Sequence, residues 1–164
     1  MKISTANLPG ILKVSLLLCA VSLTVMVLVL SLPRQNGVEF TPPPFEENAV
    51  SGAPEVPEEL GWNQIDASVF RASVCGHIVP SDGSADVWLY SAEDNTVWLK
   101  MRILDEAGNI LGETGILKPG EYVRSVKLDR VPASGTPVIL KLMSYTPETY
   151  HSEGAVTLNT LIGE

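Results

Sequence analysis

The chain has 164 residues and carries 19 acidic side chains against 11 basic ones, a formal net charge of −8. That length suits one domain with residues left over for an anchor or a linker. The acidic balance leaves no basic face for a nucleic acid, so none is expected as a partner.

From Val14 to Leu32 the chain reads VSLLLCAVSLTVMVLVLSL, nineteen residues without a charge. As a helix this run would rise about 28 Å, close to the roughly 30 Å of a bilayer's hydrocarbon core. A transmembrane helix over 14–32, in contact with the lipid bilayer, is the expectation. A cleaved signal peptide is the rival reading, but its apolar region is shorter and ends in a small-x-small site. Here Ser31-Leu-Pro-Arg-Gln-Asn follows, and Cys19 sits behind three leucines, unlike a lipoprotein signal. Lys2 and Lys13 precede the run, and every acidic residue follows it. A positive amino end stays in the cytoplasm. The expected layout is a cytoplasmic segment 1–13, a single membrane pass and an extracytoplasmic remainder. "SLPRQNG", Ser31–Gly37, faintly echoes a sortase signal; it is better read as the exit from the helix, ended by Pro33.

Residues 33–60 read as a linker, with prolines at 33, 42, 43, 44, 54 and 57 and six glutamates against one arginine. Proline favours extended geometry and like charges repel, so a stalk is expected, into whose docking Phe40, Phe45 and Val50 could enter. Residues 61–164 then form one domain. Alternation and turn residues predict strands near 68–78, 85–91, 96–104, 109–116, 121–128, 137–145 and 154–162. Pro80-Ser-Asp-Gly, Asp105-Glu-Ala-Gly-Asn, Lys118-Pro-Gly-Glu and Pro132-Ala-Ser-Gly supply turns between them. The implied fold is an all-β, seven- or eight-stranded antiparallel sandwich of immunoglobulin-like architecture.

The segments "VCGHIVPSDGSADVWL", "NTVWLKMRILDEAGNILGETG", "LKPGEYVRSVKLD" and "YTPETYHSEGAVTLNT" cover most of residues 73–160. In them the chain resembles a group of uncharacterised membrane-anchored small surface proteins of anaerobic Gram-positive bacteria. The resemblance implies a surface location and a small β domain, and it carries over no catalytic residue.

Sites for chemistry are sparse. Cys75 and His77 would share a strand face, but zinc needs three or four ligands and the only other histidine is His151. As a nucleophilic pair they lack an orienting third group. A lone cysteine in the exterior part is expected to be a small buried apolar residue. "SDGSAD", Ser81–Asp86, gathers oxygen atoms as a calcium loop does, yet Asp and Gly also serve a tight turn. No catalytic motif is present, and neither a metal nor a cofactor is expected. The expected role is non-catalytic.

The tryptophans remain. Val-Trp-Leu occurs at 87–89 and again at 97–99. If these are the arms of one hairpin, a three-residue loop (Ala92, Glu93, Asp94) sets Trp88 opposite Trp98. Trp88, Tyr90, Trp98, Lys100 and Arg102 would then form one aromatic-and-basic outer strip. Such a strip suits an envelope protein or a cell-wall glycan, and it also serves simply as cross-strand packing. The two functional expectations are a surface module for protein interaction or envelope structure, with an accessory subunit of an envelope or transfer complex as one form of it, and a carbohydrate-binding module.

Overall fold

In the computed structural model, which describes residues 10–31 and 40–163, the chain divides into one unit ending at Thr41 and another starting at Pro42. In the first, the apolar run forms helix α1 (Gly10–Ser31), which starts inside the segment expected to be cytoplasmic and takes in Lys13. No proline or glycine interrupts the run past Gly10, so nothing in it breaks a helix. Among the described residues no helix is long and apolar enough to cross a membrane. The expected cytoplasmic end through residue 9 and the first part of the linker, 33–39, lie outside the described residues.

The second unit alternates apolar and polar residues between turns, the pattern that buries one face of a strand. Its strands are β1 (Val50–Ser51), β2 (Trp62–Asp66), β3 (Arg71–Cys75), β4 (Val79–Ser81) and β5 (Ser84–Ser91), followed by β6 (Trp98–Leu104), β7 (Ile110–Glu113), β8 (Glu121–Lys127), β9 (Pro137–Tyr145) and β10 (Ser152–Leu161). One sheet runs β1-β8-β5-β3-β2, with β4 paired to β5, and the other runs β10-β9-β6-β7. All these strand pairs are antiparallel. Val74, Val87 and Leu89 of the first sheet and Leu99, Met101, Ile103, Leu140 and Leu142 of the second share one buried core. A two-layer sandwich results, because each sheet has one apolar face and each covers the other.

Most strands lie where alternation puts them. The expected strand 68–78 holds only β3; the chain turns after Cys75, and β4 begins past it at Val79. At the β4–β5 hairpin Asp82 and Gly83 both have positive φ, 48° and 78°. This is the two-residue turn that Asp-Gly favours, so "SDGSAD" serves backbone geometry.

The boundary expected at Gly61 is corrected to Pro42, because the second half of the proline-rich segment pairs with the sandwich. The Ile116 amide donates to the Pro44 carbonyl at 2.9 Å, and the Glu46 amide to the Ile116 carbonyl at 2.9 Å. Farther on, β1 adds to β8 through Val50–Tyr122 and Ser51–Glu121. Gly115 permits the approach: a Cβ there would lie 2.5 Å from the Glu46 nitrogen. Proline removes some amides from this segment; of those left, Glu46 and Gly52 donate to Ile116 and Gly120 of the domain, while Asn48 and Ala49 donate back to Glu46.

The expected hairpin between the two Val-Trp-Leu segments does not form. β5 already has β3 on one flank and β8 on the other, so it has no edge for β6. After Ser91 the chain is held to β3 instead. The Asn95 side chain accepts from the Arg71 amide at 2.8 Å and donates to the Arg71 carbonyl at 2.7 Å. It then crosses to the other sheet, where β6 lies between β9 and β7.

Candidate functional site

The five residues expected to form one strip divide between the two sheets. Trp88 and Tyr90 belong to β5, whereas Trp98, Lys100 and Arg102 belong to β6. In each strand the intervening residues are buried in the shared core, so the two groups lie on the two outer faces. The structure does not bring Trp88 and Trp98 together.

On the six-stranded sheet, Trp88 sits at an irregularity. Between the Asp86–Ser125 and Leu89–Val123 pairs β5 carries one more residue than β8. There Trp88 has φ 47°, a left-handed conformation that bulky side chains rarely adopt and that costs on the order of 1–3 kcal/mol. The bulge aims the indole at Tyr122 on β8, the rings lying 15° from parallel with centres 6.2 Å apart. The Arg124 guanidinium lies over the indole, 5.3 Å from its centre. The same guanidinium donates from Nε and Nη2 to Asp86 Oδ2 at 3.2 and 3.0 Å. Tyr90 pairs across the strands with Tyr122 and borders a polar hollow with Gln64, Asp66, Arg71 and Glu93. Trp88 Nε1 is buried and has no acceptor among the described residues.

The other outer face is occupied by its own side chains. Trp98 meets Phe45 and Tyr150 edge-on, with ring centres 4.9 and 5.3 Å away, and Lys118 Nζ lies 4.7 Å over the Phe45 ring. Lys100 is buried; its Nζ donates to Glu113 Oε1 at 2.8 Å, while Arg102 Nε donates to Glu113 Oε2 at 2.8 Å. Burial pushes the Glu113 carboxyl up, but the hydrogen bonds and charges of Lys100 and Arg102 outweigh it and hold the group below its ordinary range. These contacts close an ion-paired, aromatic-capped surface and leave Lys100, Arg102 and Lys118 engaged.

No family model matches the chain, and no curated protein matches it in sequence.

Cys75 and His77 do not form a nucleophile and base. The Cys75 thiol donates to the His77 carbonyl at 3.0 Å and to the Asp86 carbonyl at 3.3 Å, not to the imidazole. His77 Nδ1 is exposed and donates to the Leu60 carbonyl at 3.3 Å. Burial, reinforced by the Asp86 charge, pushes the thiol up to about 12. A thiol so protonated is inert as a nucleophile at neutral pH. Among the described residues no three His, Cys, Asp or Glu side chains converge as metal ligands.

Sequence reasoning reached Trp88 and Tyr90 but not Tyr122, Arg124 or Asp86. The alternation in "EYVRSVKL" does signal a strand. Only the pairing of β8 with β5 brings its tyrosine and arginine to Trp88, and strand pairing is not written in a local pattern. Trp62, the third tryptophan, is half-exposed on β2 beside Pro54 and Val56.

Proposed function

We propose that this is a non-catalytic, single-pass, membrane-anchored surface protein whose sandwich meets a protein partner in the cell envelope. The observation that carries this reading is the Trp88–Tyr122–Arg124 cluster with Asp86 on the outer face of the six-stranded sheet. Trp, Tyr and Arg dominate the energetics of protein interfaces, because each combines large contact area with a polar handle. Trp88 occupies a strained backbone conformation, and such strain concentrates where geometry serves binding.

The nineteen-residue uncharged run over 14–32 supports the anchor, and Lys2 and Lys13 before it support a cytoplasmic amino end. We take the sandwich as immunoglobulin-like in topology. What supports this is the order β10-β9-β6-β7 against β3-β5-β8, with the chain passing between sheets after β5, β7 and β8. That is the Greek-key connectivity of such sandwiches, here with β1 and β2 added at the flanks.

The test is cross-linking of the full chain in native membranes, comparing wild type with Arg124→Glu and with Lys141→Glu on the other sheet. A specific envelope protein captured by wild type and Lys141→Glu, and lost at least tenfold with Arg124→Glu, is the expected result. Equal capture by all three would make the cluster scaffold. A change in indole fluorescence on titration with cell-wall glycan, abolished by Trp88→Phe, would instead favour a carbohydrate module.

A further inference from the structure

The four-stranded sheet ends at β10, which pairs with β9 on one side only. The direction of its backbone groups follows from the ladder. At one end the Ile162 amide donates to the Thr136 carbonyl at 3.0 Å, and at the other the Thr146 amide donates to the His151 carbonyl at 2.9 Å. Antiparallel pairs alternate between bonded and non-bonded. Counting inward from Thr136–Ile162, the pairs Pro137–Leu161, Ile139–Asn159, Lys141–Thr157 and Met143–Ala155 are non-bonded. Pro137 has no amide to give, as that alternation requires. The amides and carbonyls of Ala155, Thr157 and Asn159 therefore point away from β9, along the open edge.

Folded proteins guard such edges with lysine, proline or short strands, since an open edge accepts another strand. β10 has ten residues and contains neither lysine nor proline. From Gly154 to Gly163 it has no charge, in a chain with 30 charged side chains. Past Thr160 the edge is closed: the Gly163 amide donates to the Ile78 carbonyl at 2.8 Å, and Ile78 bridges Ile162. The open part is centred on Thr157.

We propose that β10 pairs antiparallel with β10 of a second copy of this chain, about a two-fold axis through Thr157, joining two four-stranded sheets into one. In this register Thr157 faces its own counterpart and Ala155 faces Asn159, so all three outward-pointing residues exchange hydrogen bonds. Val156 meets Leu158 on the core side, which continues the apolar face of each sandwich. Glu153, the one charge on the strand, falls outside the paired residues 155–159 rather than opposite its own copy, where a parallel pairing would put it. A two-fold interface needs a self-complementary surface, and this edge is one in backbone polarity, charge and side-chain face. The edge belongs to the other sheet from the Trp88 cluster and does not depend on it.

The test uses the full chain in detergent on a Cys19→Ser background. Residues in a bonded antiparallel pair have Cα atoms about 5.5 Å apart, within disulfide reach. Thr157→Cys should cross-link to a dimer on mild oxidation, whereas Asn159→Cys alone should not, and Asn159→Cys mixed with Ala155→Cys should. Thr157→Pro removes an amide that β9 does not use, so it should keep the fold and weaken self-association at least tenfold in sedimentation equilibrium. Thr157→Lys should do the same through charge repulsion, should the proline variant fail to fold. A wild-type chain that is monomeric at tens of micromolar, a dimer unaffected by either substitution, or equal cross-linking at 157 and 159 overturns the proposal.

Discussion

Phe45 meets Trp98 edge-on, with ring centres 4.9 Å apart. This contact fastens a proline-flanked segment to the outer face of the four-stranded sheet, since the backbone beside it also pairs with Ile116. An aromatic pair of this kind contributes about 0.5–1.5 kcal/mol beyond the area it buries. Phe45→Ala should therefore lower stability by about 1–2 kcal/mol in denaturant titration. It should also shift tryptophan emission to longer wavelength as Trp98 gains water. In a Trp98→Phe background the emission shift should vanish and the stability loss should shrink, because the two residues act on one contact. Additive losses would show that Phe45 stabilises the fold through something other than Trp98.

Gly115 tests the same docking from the backbone side. Its amide donates to Glu46 Oε2 at 2.7 Å, and an added Cβ would fall 2.5 Å from the Glu46 nitrogen. The atoms this Cβ would meet, the Glu46 nitrogen and Cα and the Phe45 carbonyl carbon, are all backbone, so Gly115→Ala should push the segment off the sheet. We expect a loss of about 1–3 kcal/mol and faster cleavage by a glutamate-specific protease at Glu46–Glu47. Unchanged cleavage would mean that the sheet moves to accept the methyl.

How much of this was legible depends on whether the cause was local. Alternation placed β5, β6, β8 and β9 nearly to the residue, because a sandwich strand shows its buried face in its own sequence. Asp82-Gly83 declared its turn for the same reason. The pairing of strands is not local. Trp88 and Trp98 satisfy the parity of a hairpin, and only the occupied flanks of β5 show that the chain crosses instead. The docking of residues 42–60 was hidden likewise: a proline- and glutamate-rich composition describes the free segment, while its partners Ile116 and Tyr122 lie more than seventy positions on.

The Glu113 cluster makes stability depend on acid. Its carboxyl lies below its ordinary range in the folded state, for the balance of burial and basic partners given above. A carboxyl depressed on folding contributes stability above its unfolded value and loses it as pH falls through the folded value. Wild type should therefore weaken below about pH 4.5 more steeply than Glu113→Gln, which has no proton to take up there. At neutral pH Glu113→Gln leaves the buried Lys100 ammonium without its carboxylate, and a cost of about 2–3 kcal/mol is expected. Lys100→Met combined with Glu113→Gln should recover part of it. Parallel acid profiles for wild type and Glu113→Gln would remove the cluster from the pH dependence.

Cys75 sets the opposite, alkaline limit. Its Sγ is enclosed by the His77 and Asp86 carbonyls, and burial pushes the thiol from an ordinary 9.0 up to about 12. For a group raised on folding, the contribution is complete below the unfolded value and lost as pH rises toward the folded one. Between pH 9 and 11 wild type should lose stability by up to about 1.4 kcal/mol per pH unit, because the unfolded chain ionises the thiol and the folded chain does not. Cys75→Ala should start less stable, having lost a buried side chain, but with a flatter alkaline slope. On a Cys19→Ser background iodoacetamide should leave the folded chain unmodified at pH 8 and label one thiol in urea. Rapid labelling of the folded chain would show that the thiol is reachable and ionised, and would reopen the pairing of Cys75 with His77.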